Sequence, residues 1–306
     1  MNVLLNVFKV TLEEGFMYAI LAMGVYITYS ILDFPDLSVD GTMPLGAVVT
    51  GVLIMHGVNP WLCILISFAL GAAAGAVTGV LHIKFKIRDL LCGILVYTSL
   101  LTVNLVVVET GTGGMSIASF FRDPTIFNTF PATLIPENVN GFSLRVLAVS
   151  LLLALVVKIL LDLYLKTKSG LLLRAAGDNS QYVTLLANDP GRSKVLGLCL
   201  GNGLAAVSGS IIAQAKGSAD TQMGVGMVVL GLASVIIGLS LFKKCSFMRA
   251  TTMVILGSIA YKACLSCALA LGLPTNYLKL LMAVIFTAAI VASRISIKPK
   301  KGGAKC

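Results

Sequence analysis

The chain has 306 residues, of which 57% are apolar and only 12% charged, and its mean hydropathy is +0.95. A water-soluble globule carries about 25% charged residues, so an ordinary soluble domain is excluded. The net charge of +10 does not indicate nucleic acid either, because most of the 23 basic residues fall in four short clusters between apolar runs or at the end, the pattern of cytoplasmic loops in a membrane protein.

Apolar runs about long enough to cross a hydrocarbon core, which takes roughly 20 residues of helix, follow one another from the start. They cover Gly15 to Leu32, Thr42 to Val58, Trp61 to Ile83, Leu90 to Val108, Leu144 to Leu165, Val195 to Ala215, Met223 to Phe242, Ala250 to Leu271 and Tyr277 to Ala292. Runs such as Trp61 to Ile83 are apolar on every face, which disfavours the alternating strands of a β-barrel. The expected fold is an all-α membrane protein: one domain over residues 1–306, a polytopic bundle of about 8–9 transmembrane helices. The first run lacks a basic leader and a small-residue cleavage site, so it reads as a retained span.

The first break is the most informative. Asp33 to Gly41 is polar and carries Pro35, and the run after it is short, so the second span is expected to be broken or re-entrant. Non-helical backbone at membrane depth survives only where protein buries it or a cavity solvates it, and such segments mark transport paths. Ser38, Asp40, Gly41, Thr42 and Pro44 are therefore placed beside a path, the alternative being a plain external hairpin. A fully crossing second span puts the N-terminus outside, a broken one inside.

The basic clusters are Lys84, Lys86 and Arg88; Lys166, Lys168, Arg174, Arg192 and Lys194; Lys243, Lys244 and Arg249; and Arg294, Lys298, Lys300, Lys301 and Lys305. Two spans separate each from the next, so all four fit one side. Glu109 to Gly141 then falls outside, too long for a bare connector and suited to a structured cap or docking surface. Lys166 to Lys194 falls inside and carries a short helix: Asp178 or Asn179 as N-cap, Tyr182, Leu185 and Leu186 on one face, Asn188 and Pro190 closing it. That apolar face either folds back on the bundle or meets a partner.

Gly71, Gly75 and Gly79 share one face of the third span, and Gly197 and Gly201 one face of the sixth, which suits close packing within the chain. Seven cysteines (Cys63, Cys92, Cys199, Cys245, Cys264, Cys267, Cys306) lie mostly in apolar runs or on the inner side, with no disulfide framework; Cys264 and Cys267 read as two small packed residues. The chain lacks a Walker A run, and its two histidines, His56 and His82, stand in different spans, so neither ATP binding by that route, nor a metal site, nor membrane catalysis is expected. Ionisable groups at membrane depth default to functional hypotheses. Lys262 is the clearest, with Asn104, Glu109, Asp36 and Asp40 as possible partners, or with its chain reaching along the helix to water; Lys158 can snorkel. Asn104, Ser234 and Lys262 complete the expected path.

Three segments resemble the permeases of ABC importers for branched-chain amino acids, ribose and related solutes. Asp36 to Thr42 followed by Leu45-Gly46-Ala47 is similar to the family's DLS-V-(E/D)-G and LGA pattern. Gly170 to Asn179 resembles its cytoplasmic G-x-x-x-R-A-x-G-x-N segment, and Gly201 to Gly209 with Gly231 to Gly238 resembles its later spans. The wording is nearest to the tryptophan and tyrosine group. Asp33 to Ser38 departs from the branched-chain pattern and puts a branched-chain solute in doubt.

The resemblance implies a multi-pass protein of the bacterial cytoplasmic membrane that imports a small solute, an aromatic amino acid such as tryptophan or tyrosine, by alternating access. Arg174, Ala175, Gly177, Asp178, Asn179, Tyr182, Leu185 and Leu186 would couple it to an ATPase. Implied partners are a second permease subunit, two ATP-binding subunits carrying ATP and magnesium, an external substrate-binding lipoprotein, the solute and the bilayer, with no cofactor on the chain itself. The rivals are a sugar or nucleoside importer and an ion-gradient carrier; the latter calls for a carboxylate relay and an inverted repeat.

Overall fold

Lipid offers the backbone no hydrogen-bond partner, so the chain makes its own, almost entirely as helix. A computed structural model describes residues 2–130, 132–134, 144–185, 187, 189–243, 247–272, 274 and 277–297. In order come α1 (Asn2–Val25), which runs into a π-helix (Tyr26–Ile31), then α2 (Val39–Met55), α3 (Pro60–Phe85), α4 (Asp89–Thr112) and α5 (Leu144–Tyr164). The short α6 (Lys168–Asp178) and α7 (Ser180–Leu185) precede α8 (Pro190–Lys216), α9 (Met227–Leu241), α10 (Ala250–Ala270) and α11 (Leu278–Ile297). Seven helical stretches among the described residues are long and apolar enough to cross a membrane, and α2 and Leu280–Val291 of α11 are shorter apolar helices. The protein is a polytopic all-α membrane protein.

The described basic clusters gather at one end of the bundle. Gly79 of α3 faces Val195 of α8, Arg249 bonds Asp162 near the end of α5, and Gly177 of α6 sits on Ile31. The start of α1 lies at the opposite end, beside Val146 of α5 and Lys216 of α8. This corrects the link between a broken second span and an N-terminus on the basic side. The break turns the chain at the basic end, and α2 still runs back to the far end, where Asn59 caps α3. It is not an external hairpin.

The core is organised around α8, which touches α1, α2, α3 and α6. Small residues let it. A Cβ on Gly75 would collide with the Leu198 carbonyl oxygen, one on Gly46 with that of Ala206, and one on Gly209 with that of Met43. Gly71 and Gly201 are seated equally closely, against Asn202 and Thr28, so the glycine faces pack inside the chain. α8 starts earlier than its apolar run because Asp189 accepts a hydrogen bond from the Gly191 N–H at 2.8 Å and Pro190 fills the first helical position. Pro190 thus opens a helix rather than closing one.

At the opposite end β1 (Ile117–Ser119) pairs antiparallel with β2 (Ser218–Asp220), Ala118 facing Ala219. Phe120, Ile126 and Phe127 are buried beneath this cap. Gln214 Oε1 accepts from the Ile126 N–H at 2.9 Å, and the Trp61 indole N–H donates to the Phe130 carbonyl at 3.0 Å. Cys264 and Cys267 differ from the packed reading: both are exposed on the outer surface of α10.

Gly75→Val should lower the thermal unfolding midpoint in detergent by an amount worth about 1–3 kcal/mol. Val77→Ala, on the outward face of the same helix, should stay within about 0.5 kcal/mol of wild type.

Candidate functional site

Two helices of the bundle start in its interior instead of at its surface. After Ile31 the chain leaves the helix for Leu32 to Leu37, with Asp33 at φ +53° and the Phe34 N–H held by the Thr28 carbonyl at 2.9 Å. Helix α2 then starts at membrane depth, because Asn202, its neighbour on α8, lies twelve residues into that helix, about 18 Å at 1.5 Å per residue. From the opposite end, the segment after β2 descends alongside α2. Gly51 packs against Ala118 and Ala219, whereas Gly224 packs against Asp40 and Pro44. The start of α9 is therefore about 16 Å below the strands, eleven residues along α2.

Helix starts carry unpaired N–H groups and the positive end of the dipole, and a carboxylate answers them in each case, Asp36 buried and Asp40 part-buried. Asp36 Oδ1 accepts from the Ser38 N–H at 2.8 Å and the Ser38 hydroxyl at 2.6 Å, and its Oδ2 accepts from Asn202 Nδ2 at 2.7 Å. The Thr42 hydroxyl donates to Asn202 Oδ1 at 2.9 Å, and Thr78 Oγ1 stands 3.4 Å from Ser38 Oγ. Asp40, in the first turn of α2, caps the other helix: its Oδ1 accepts from the Val228 N–H at 2.7 Å and its Oδ2 from the Gly226 N–H at 3.2 Å. Gly226 turns there at φ +88°. Pro44 supplies no N–H to the Asp40 carbonyl, and Gly224 seats against that carbonyl so closely that a Cβ would collide with it. Asn104 of α4 donates to the Gly41 carbonyl at 3.0 Å.

Ser38, Asp40, Gly41, Thr42, Pro44 and Asn104 are thus brought together where the two interrupted helices meet. Ser234 is not among them. It lies two turns further along α9, its hydroxyl donating to the Leu230 carbonyl at 2.8 Å. Lys262 is elsewhere again, and its expected partners are corrected. It pairs with Glu14 of α1 at 2.9 Å and stands 3.8 Å from the centroid of the Tyr18 ring. Glu14 lies just before the first apolar run, which starts at Gly15, while the helix that carries it starts at Asn2. Asn202 and Thr78 also stand outside the expected residues, although a lone Asn between Gly201 and Gly203 in an apolar run is a legible signal of a buried polar contact.

The basic end carries the other expected group. Along α6, Leu173 and Ala176 face inward and Arg174 outward. Ala175 and Gly177 are part-buried and Asp178 and Asn179 exposed, the last accepting from the Gln181 N–H at 3.0 Å. Leu185 is 84% exposed. For Tyr182 only the helical backbone falls within the described residues, and Leu186 lies outside them. Gly177 rests on the Ile31 carbonyl and Leu32, where a Cβ would not fit, so α6 touches the chain where it leaves the helix. Between them lies a cleft of about 480 Å³ lined by Tyr26, Ser30, Asp33, Arg174 and Asp178.

Residues 10–290 match the family described as "Branched-chain amino acid transport system / permease component". A tyrosine transport system permease protein of Clostridioides difficile (strain R20291) is 40% identical over 96% of this chain and 94% of its own. An uncharacterized protein of Rickettsia prowazekii (strain Madrid E) is 28% identical over 92% and 95%, and a fructose import permease protein of Bifidobacterium longum (strain NCC 2705) is 24% identical over 74% and 61%. No solved structure matches significantly.

Two substitutions test the polar contacts through thermal unfolding in detergent. Asn202→Leu strips a buried carboxylate of a partner and should cost at least the roughly 1.5–3 kcal/mol of a hydrogen bond to a charged group. The Lys262–Glu14 pair should respond asymmetrically: Glu14→Gln, which leaves the buried ammonium without its counter-ion, should lower the midpoint more than Lys262→Met, which leaves a carboxylate that water reaches.

Proposed function

Because this chain belongs to the permease-component family of branched-chain amino acid transport systems, we propose that it is the membrane subunit of an ATP-driven importer. Its solute is an amino acid, and the name of the Clostridioides relative favours an aromatic one. The basic end faces the cytoplasm, by the bias of Lys and Arg toward that side, in the cytoplasmic membrane of a bacterium. Two copies of the chain form the path, two ATPase subunits bind ATP and magnesium, and an external binding protein delivers the solute to the opposite end. The chain catalyses nothing; it converts a displacement at its inner surface into closure of one end and opening of the other.

The observation that carries this reading is the seat of Gly177 on Ile31 and Leu32. An ATPase gripping Arg174, Asp178, Asn179, Tyr182, Leu185 and Leu186 pushes α6, through Ala175 and Gly177, against the end of α1. The next residues are Asp33 to Leu37, then Asp36 and Ser38 on Asn202, then Asp40 on the start of α9. Each contact is direct, so on this reading a shift of α6 is passed to both interrupted helices. Ser38, Asp40, Gly41, Thr42, Pro44 and Asn104 form the moving wall beside the path, Ser234 belongs to the helix that moves with them, and Lys262 ties α10 to α1 at the outer end. Each state is favoured only by what binds it better, here ATP on the partner and the loaded binding protein outside.

In proteoliposomes holding the whole complex, uptake should require ATP hydrolysis, and Leu185→Asp should cut solute-stimulated hydrolysis at least about tenfold without lowering the unfolding midpoint, since that side chain is solvent-exposed. Solute accumulation by the chain alone, without any ATPase, would falsify the importer reading.

A further inference from the structure

Near the end opposite the basic one, α1, α5 and α8 enclose a cavity of about 210 Å³ that the contacts above leave unused. Glu13, Glu14, Met17 and Tyr18 line it from α1, Val146 from α5, and Ile212 and Lys216 from α8. At about 30 Å³ per water it has room for on the order of seven waters, the scale of one small metabolite.

Its charges are arranged unevenly. Glu14 already holds Lys262 at 2.9 Å. Glu13 forms an ion pair with Lys9, whose Nζ stands 3.6 Å from Oε1; only 13% of the Glu13 side chain is exposed, and Oε1 accepts no closer hydrogen bond among the described residues. Across the cavity Lys216 ends α8, where a cation suits the helix dipole. One wall thus offers a carboxylate that holds Lys9 only at ion-pair distance and has capacity for a second ammonium, and the other offers an ammonium. The surface between them is the thioether of Met17, the ring of Tyr18 and the side chains of Val146 and Ile212.

We propose that this cavity is a receiving site for a zwitterionic α-amino acid: the ammonium donates to Glu13, the carboxylate accepts from Lys216, and an apolar or aromatic side chain lies on Met17, Tyr18 and Ile212. The proposal rests on the importer reading and adds where the solute first meets the chain. It also separates solute classes, since a neutral sugar brings neither an ammonium for Glu13 nor a carboxylate for Lys216. Occupancy has a built-in readout, because the Tyr18 ring that lines the cavity also carries the Lys262 ammonium 3.8 Å from its centroid.

The test uses the permease–ATPase complex in nanodiscs and radiolabelled L-tyrosine without binding protein, with L-tryptophan, tyramine and fructose as competitors. Wild type should bind L-tyrosine, L-tryptophan should displace it, and fructose should not. Glu13→Gln and Lys216→Met should each weaken binding about tenfold or more. Tyramine, which lacks the carboxylate, should compete poorly in wild type yet nearly as well as L-tyrosine in Lys216→Met, a change in preference that mere loosening of the fold does not produce. If Glu13→Gln fails to assemble, the exposed Lys216 carries the test. Wild-type affinity in the variants, displacement by fructose, or no binding to a wild-type complex that still accumulates L-tyrosine overturns the proposal and leaves the importer reading standing. A wild-type complex that takes up no amino acid on ATP addition overturns the importer reading itself.

Discussion

The architecture depends on satisfying backbone polar groups where no water can do so. An unbroken helix does this automatically, whereas a helix that starts inside a bilayer exposes up to four N–H groups, each costing several kcal/mol if left alone in hydrocarbon. Here the solution is reciprocal. Asp36 and Ser38 serve the start of α2 with Asn202 of α8 as anchor, and Asp40, itself on α2, serves the start of α9. The caps join each interrupted helix to another element, so a locally unfavourable feature ties together parts of the chain distant in sequence.

That link needs a stiff frame, and glycine provides one without side-chain bulk. In lipid no hydrophobic force presses helices together, so close backbone approach and dense contact must hold them. α8 meets the carbonyl backbone of its neighbours at Gly209 and presents its own carbonyls to Gly24, Gly46, Gly71 and Gly75. The outward faces of α3, α4 and α5, by contrast, carry exposed leucines, isoleucines and valines, as a surface solvated by acyl chains should.

Much of this was legible in the residues. The number of apolar runs, the gathering of basic clusters at one end, the glycine faces and the interruption after Ile31 all follow from hydropathy, charge and the periods of the helix. What escaped had a physical reason. Glu14 was invisible as the partner of Lys262 because an apolar window ends where charge begins, although a helix need not. The delayed start of α9 was hidden because Met223 to Phe242 is apolar throughout, and only Gly224 and Gly226, which permit the close seat and the positive φ, mark the difference. Asn202 lies more than 150 residues from Asp36, Ser38 and Thr42, a pairing that sequence spacing does not encode. Pro190 reads as a terminator in the sequence because proline stops a helix from within, yet it starts one at its first turn.

The π-helix at Tyr26–Ile31 closes with the Leu32 N–H on the Ile27 carbonyl at 3.1 Å, a ring one residue wider than an α turn. The wide turn takes up one residue more than an α turn, and the residue five along stands close to where the residue four along stands in ordinary winding, so the Ile31 carbonyl still meets Gly177 and Leu32 still meets Gly197. The extra residue is absorbed without turning the chain's exit from its first crossing, and two otherwise unrelated surfaces, one meeting α6 and one meeting α8, keep their alignment across it.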